Sequence, residues 1–330
     1  MKKILIIFSC VSMLFLCAGC GATKAFNEEK ALSGCFDIYS PAELDRLKEE
    51  HLDIQSRNER NYTVSAVEGL AGHSLGGIIA VDDKLYVCDI GENKILVLDS
   101  EGNLLEEVGE TGNGDLEFLR PMGIAYADGR FYVLDVQNTR IQILDENLEF
   151  EEQIVFDRKY AEDRVEYGSI AVNQDGDIYF SLIGISDGRL LVYRQSEGGF
   201  YELGENFAGT VFPNGDNSQL YAVNVGVLEQ DKNNKGIRTG INYLYEIEGT
   251  GLQAVCELPY GLTATGFVMQ EDRLFCVSAS YSSVDCYAQS GEYLYSLAVT
   301  GDVQLYSGLA EGSNSVYYLT GGNGLHIVKE

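Results

Sequence analysis

The chain has 330 residues and a formal charge of −28. So acidic a surface repels nucleic acid and anionic headgroups, which excludes nucleic-acid binding. With 21 Tyr, 14 Phe and 37 Gly against 4 Pro and no Trp, the composition supplies strand formers and turn residues for many short strands and predicts an all-β chain.

Residues 1–19 read as a secretion signal. Lys2 and Lys3 form a positive n-region, Ile4 to Leu16 an apolar run, and Ala18-Gly19 place small side chains before Cys20. The run falls short of the about 20 apolar residues a membrane span needs. Its ending resembles the bacterial lipobox, with Cys17 where that motif carries Leu. The resemblance implies that Cys20 is lipidated and becomes the new N-terminus. Two or more acyl chains give stable anchoring, so the expectation is an exported protein held on a bacterial membrane through Cys20 and facing outside the cytoplasm. Loss of Lys2 and Lys3 leaves 21 basic against 51 acidic residues.

Residues 20–61 form a tether with one short helix. Ser40 is its N-cap, Pro41 its first residue and Glu43 the third after the cap, and Leu44, Leu47 and Leu52 follow at helical spacing. The other face is charged, so the helix is expected to pack on the side or base of the main domain. Tyr62 to Val67 alternates as a strand.

From residue 62 to 330 one pattern recurs six times: an apolar run, a tight polar turn, a strand rich in Tyr, Val and Phe, a second turn, another strand and a ragged acidic strand. Equivalent positions fall at Asp89, Asp135, Leu182, Asn224, Ser278 and Thr320, with spacings of 46, 47, 42, 54 and 42. This period predicts four-stranded blades about a central axis, a six-bladed β-propeller. The last segment ends at Ile327-Val328-Lys329-Glu330 without an outer strand, and Tyr62 to Val67 is expected to supply it and seal the ring.

The clearest copy runs Leu119-Arg120-Pro121-Met122-Gly123, then Phe131-Tyr132-Val133-Leu134-Asp135 and Asn138-Thr139-Arg140-Ile141-Gln142. It resembles the NHL repeat. The first blade matches through Leu85 to Asp89 and Asn93-Lys94-Ile95, whereas blades three to six keep only the strand rhythm. The resemblance implies a propeller fold but no single activity, because similar propellers serve as binding platforms, lyases and lactonases. Its amidating-lyase relatives use several His at a central metal, whereas this chain has only His51, His73 and His326.

Several motifs require a choice between readings. Gly72-His73-Ser74-Leu75-Gly76-Gly77 has the G-x-S-x-G form of a nucleophile elbow, with His326 late enough to complete a triad. An elbow turns from strand into helix, whereas here a strand, a turn and a strand follow. A shift of 46 residues places Gly77 on Gly123, so the motif is read as the loop entering blade one. Asn173-Gln174-Asp175-Gly176-Asp177 offers alternating oxygens like a calcium loop but sits where every blade turns, and is read as a hairpin turn. Gly109, Gly112 and Gly114 precede no helix and are read as an inter-blade loop, not a phosphate loop. Cys276 and Cys286 lie on neighbouring strands of one hairpin, where a cross-strand disulfide and two small buried hydrophobes are equal readings. No Cys/His spacing resembles a zinc site, and neither a metal nor a cofactor is implied.

In propellers, the loops between blades and those between second and third strands share one face around the channel mouth. That face carries Arg120, Tyr160, Arg164, Tyr167, Arg238, Tyr260 and Tyr281, of the residue types that most often supply recognition energy. Blade four adds a polar excursion from Gly226 to Gly240. The sequence therefore predicts a lipid-anchored, non-enzymatic binding or scaffold module for a protein, peptide or glycan, with a secreted propeller enzyme, a metal-dependent lyase or lactonase-like hydrolase with its site in the central channel, as the alternative.

Overall fold

Leu85, Tyr86, Val87 and Cys88 are consecutive and all buried, a pattern that a sheet with one wet face does not allow and a sheet covered on both faces requires. The computed structural model explains it. It describes residues 36–329 apart from 40, 58–59, 61, 162–164, 185–187, 206, 208, 225–227, 231–236, 241, 259–263, 279–282, 300–307, 314–315 and 323. The signal peptide and Cys20 lie outside the described residues.

Six four-stranded antiparallel sheets form the blades of a propeller. Blade one comprises Leu75–Val81, Lys84–Asp89, Lys94–Asp99 and Leu104–Val108, and blade two Pro121–Ala127, Arg130–Asp135, Arg140–Leu144 and Phe150–Val155. Blade three runs from Val165 to Glu205, blade four from Gly209 to Glu257 and blade five from Ala264 to Val299. Blade six takes Leu309–Glu311, Val316–Gly321 and Gly324–Lys329 from the C-terminal end and Thr63–Ala66 as its outer strand. In that closure Thr63 lies opposite Lys329 and Ala66 opposite His326. All six repeat positions fall on second strands, and the first strands of successive blades touch in a closed ring.

The core is divided among the blade interfaces. Leu85 and Val87 point to blade six, packing with Ala310, Tyr318 and Ile327. Tyr86 and Cys88, on the opposite face of the same strand, pack with Ile124, Phe131 and Val133 of blade two. The period of two in side-chain direction thus feeds two interfaces from one strand. Each of the other interfaces has a buried cluster of its own. At the ring's inner edge the backbones come closest: a Cβ on Gly77 would stand 2.9 Å from Gly123 Cα and 3.0 Å from Ile124 N. Glycine at 77 is what lets the first strands of blades one and two converge, as glycine at 123 does for blades two and three, where a Cβ would stand 3.1 Å from Ile170 Cγ2.

The same alternation settles the cysteines against a disulfide. Cys286 lies opposite Phe275, and Cys276 opposite Asp285. This offset of one residue sends the two thiols to opposite faces, Cys276 toward blade four and Cys286 toward blade six. Both are free and buried, as are Cys88 and Cys256. Burial pushes the Cys256 thiol up to about 12 and holds Cys276 well above its ordinary value. Alkylation of the denatured, unreduced protein is expected to label all four, read by peptide mass spectrometry. An unlabelled Cys276–Cys286 pair would contradict this register.

The tether docks at two places. Phe36–Tyr39 adds as a strand to Ile237–Gly240, which itself pairs with Leu228–Gln230, so the blade-four excursion is a hairpin extended by the tether. The helix Pro41–Arg57 contacts blade five through His51, which is buried with Nε2 3.3 Å from Asp285 Oδ2 and its ring edge-on to Tyr293. Arg60 continues the contact, donating its backbone N–H to Ser296 O and covering the Tyr295 ring. Leu52, expected on the inward face, is 39 % exposed. The surface beneath the helix is polar, with the Asp285 carboxylate also accepting from Tyr287 Oη and Ser296 Oγ, and an imidazole meets it where a leucine would not.

Candidate functional site

Two sets of loops on the inter-blade face are held by buried aspartates. Asp89 accepts from Gly91 N and Glu92 N through Oδ1, and its Oδ2 stands 2.5 Å from His73 Nδ1. Asp135, the equivalent residue of blade two, accepts from Leu119 N, Asn138 Nδ2 and Arg140 Nε. Burial pushes its carboxyl up, while Asn138, Leu119 and Arg140 pull in the opposite direction. Arg140 also donates to Asn113 O, Gly114 O and Glu117 O, fixing the glycine-containing inter-blade loop by its carbonyls. Ser74 is exposed and lies in the loop that enters Leu75–Val81, with its carbonyl accepting from Ile90 N. No strand-to-helix elbow forms there. Asn173 Oδ1 accepts from Asp175 N and Asp177 N with Gly176 at φ +79°, which makes that segment a hairpin turn.

A further space lies at the centre of the ring. Inner strands of all six blades line a central cavity of about 480 Å³, which reaches from Gly77, Gly123, Gly168, Gly266 and Gly308 to the first hairpin turns. This volume lies within the range of small-molecule sites. Each inner strand is the edge of its sheet, so the wall presents backbone N–H and C=O groups that the ladder leaves unpaired. Side chains cross the space near both ends. Tyr167 Oη donates to Thr265 O across blade four (2.7 Å), and Thr210 Oγ1 donates to the same carbonyl (3.2 Å). Ser169 Oγ lies 2.7 Å from Ser181 Oγ and accepts from Val211 N. At the turn end, Asn217 Nδ2 donates to Tyr126 O across blade three (3.0 Å), and Asn214 bridges to Met269. Burial pushes the Tyr167 phenol up and keeps it a neutral donor.

Among the described members of the seven loop residues predicted as a recognition face, Tyr167 alone lines this cavity. Arg120, at φ +57°, donates its N–H to Asn93 Oδ1, and Tyr160 is half-buried against the core between blades two and three with Lys159 Nζ over its ring. Arg238 sits on the excursion strand, registered between Ile38 and Glu229. Arg164, Tyr260 and Tyr281 lie outside the described residues. The structure does not gather the described members of the set at one point. Sequence reasoning missed Asp82, Thr210, Asn217, Thr265 and Glu311, whose shared signal is their place at either end of a blade's first strand. Among the described residues, no group of three or more His, Cys, Asp or Glu is arranged to hold a metal.

Comparison with known proteins agrees with this geometry. Residues 72–167 match the model of a family described as a 6-bladed beta-propeller, and no curated protein matches the chain. Among solved structures, virginiamycin B lyase from Staphylococcus aureus is 12% identical over 82% of this chain and 100% of its own, with a TM-score of 0.53. A luciferin-regenerating enzyme is 13% identical over 82% of this chain and 96% of its own, at a TM-score of 0.58. A putative gluconolactonase is 12% identical over 89% of this chain and 97% of its own, at 0.55. Such likeness carries the fold alone. The expectation of a chain without enzymatic activity is corrected, because proteins that share the architecture are named as enzymes and the propeller gives no ground for excluding catalysis. On its repeats, its closed ring of blades and these matches, the chain is a six-bladed β-propeller.

Proposed function

We propose that this protein is a lipid-anchored, extracytoplasmic propeller that captures a small molecule in its central cavity. The observation that carries the reading is the cavity of about 480 Å³, walled by strand edges and crossed near both ends by Tyr167–Thr265 and Asn217–Tyr126. A space of this kind buries most of a small ligand and offers it both apolar surface and fixed hydrogen-bonding groups. The anchor rests on the Ala18-Gly19-Cys20 ending and the apolar run before it.

Gly215 lines the cavity, and a Cβ there would meet nothing within 4 Å, so Gly215→Trp places an indole in open space without displacing the fold. Small molecules that raise the melting temperature of the wild type are expected to lose that effect in Gly215→Trp. Hits that persist in the variant would place binding outside the cavity. Product analysis of the same mixtures reads whether the bound molecule is also turned over. For the anchor, Cys20→Ala is expected to abolish metabolic labelling with a fatty acid and to release the protein from membranes. Retention of the variant in the membrane fraction would mean that an uncleaved apolar segment holds it.

A further inference from the structure

The ionisable groups that line the central cavity, among the described residues, are Asp82, Glu311 and the phenols of Tyr126 and Tyr167; no Lys, Arg or His lines it. Glu311 ends the first strand of blade six, and Asp82 opens the first turn of blade one. They stand at a junction, because a second space of about 570 Å³ between blades six and one shares Asp82 and Glu311 with the cavity. This groove adds Asp83 and Glu101 against Lys84 and Lys329, so carboxylates outnumber ammonium groups along its wall.

Glu311 is half-buried, and its removal from water pushes the carboxyl up. Arg273 draws it down and Glu271 raises it further. Arg273 itself spends donors on Tyr295 Oη and Gln270 Oε1. A half-buried carboxylate at the edge of a cavity whose lining includes Ile78, Val81 and Leu309 gains most from a partner that brings its own positive charge and shares the partly dehydrated site.

Resting on the cavity reading above, we infer that the ligand is an organic cation, an amine with an apolar body, whose ammonium group pairs with Glu311 at the junction of the cavity and the groove. The apolar body lies in the cavity, and Asp82 adds longer-range attraction. An anionic molecule of the same shape is repelled.

The test uses the mature full-length protein and three probes with one phenyl body: phenethylamine, 2-phenylethanol and 3-phenylpropanoate. Calorimetric titration of the wild type is expected to rank them in that order. Glu311→Gln keeps the shape and removes the charge. It should weaken phenethylamine by about tenfold or more, the worth of a charge-assisted hydrogen bond, while leaving 2-phenylethanol unchanged. The variant should melt no lower than wild type, which separates loss of the counter-ion from loss of structure. Equal binding of amine and alcohol, or a Glu311→Gln variant that binds the amine as well as wild type does, would overturn the charge assignment. If the alcohol still binds and Gly215→Trp abolishes it, the cavity reading survives that failure. Absence of binding by all three at millimolar concentration would overturn the cavity reading and the inference together.

Discussion

Deleting residues 62–67 is expected to lower the melting temperature far more than deleting residues 21–30. The first truncation removes the outer strand of blade six, paired with Gly324–Lys329 over four residues. It also removes Val67, whose N–H donates to Leu325 O and whose side chain covers Gly102. The following Leu70, buried in the interface of blades six and one, loses its attachment. The loss should reach several kcal/mol, a large part of the about 5–15 kcal/mol that domains typically possess. The exposed edge of Gly324–Lys329 should promote association. Thermal melts and sedimentation of the two truncations check this. Equal melting temperatures would refute closure of the ring by the N-terminal strand.

Arg140→Ala should be the most damaging single substitution in blade two. Arg140 and Asp135 are buried and paired at 2.9 Å, and the same guanidinium holds three loop carbonyls. Removing one member of a buried pair costs about 3–5 kcal/mol, which for a domain of this size lowers the melting temperature by roughly 6–20 °C. Arg140→Lys should recover only part of this, since an ammonium group lacks the planar fork. The deficit has a defined pH dependence. The carboxyl of Asp135 already lies above its ordinary value, so charging it in the folded chain costs stability that is not lost below the unfolded value of about 3.9. Without Arg140 that cost grows. The gap between Arg140→Ala and wild type should therefore be widest at neutral pH and narrow as pH falls toward 4. A gap independent of pH would mean that lost packing, not an uncompensated charge, dominates.

The architecture could be read from the chain because local chemistry repeats: each blade has its own turns, and the spacing of Asp89 and Asp135 already marks the second strands. Closure was legible for the same reason, since a blade that ends at Gly324–Lys329 lacks a fourth strand and Thr63–Ala66 has none to join nearby. Pairwise side-chain geometry was harder. Whether Cys276 and Cys286 face each other depends on a one-residue register, which hairpin spacing alone does not fix. His51 replaces Leu52 at the tether contact because the receiving surface carries Asp285, a residue 234 positions away. A central channel followed from the ring, but its lining was hidden for a stronger reason: Tyr126, Tyr167, Thr265 and Glu311 lie on four blades and meet only once the ring has closed. Asp89 and Asp135 show the limit of the repeat itself, as the same position takes a histidine side chain in one blade and a backbone N–H with an arginine in the next.

The pairing of Thr63–Ala66 with Gly324–Lys329 also sets an order of events during biogenesis. Thr63–Ala66, made before any other strand of the ring, can find its partner only after Gly324–Lys329 has been made. For a loop of this length the entropy of bringing the ends together is about 5 kcal/mol beyond a constant, and it is paid before the final contacts form. Five blades can assemble from neighbouring segments as the chain emerges, whereas the sixth must wait for both ends. Refolding should therefore show a late phase in which Tyr62 and the blade-six tyrosines become protected after the rest of the ring, and a chain cut short by a few C-terminal residues should stall with Thr63–Ala66 unpaired.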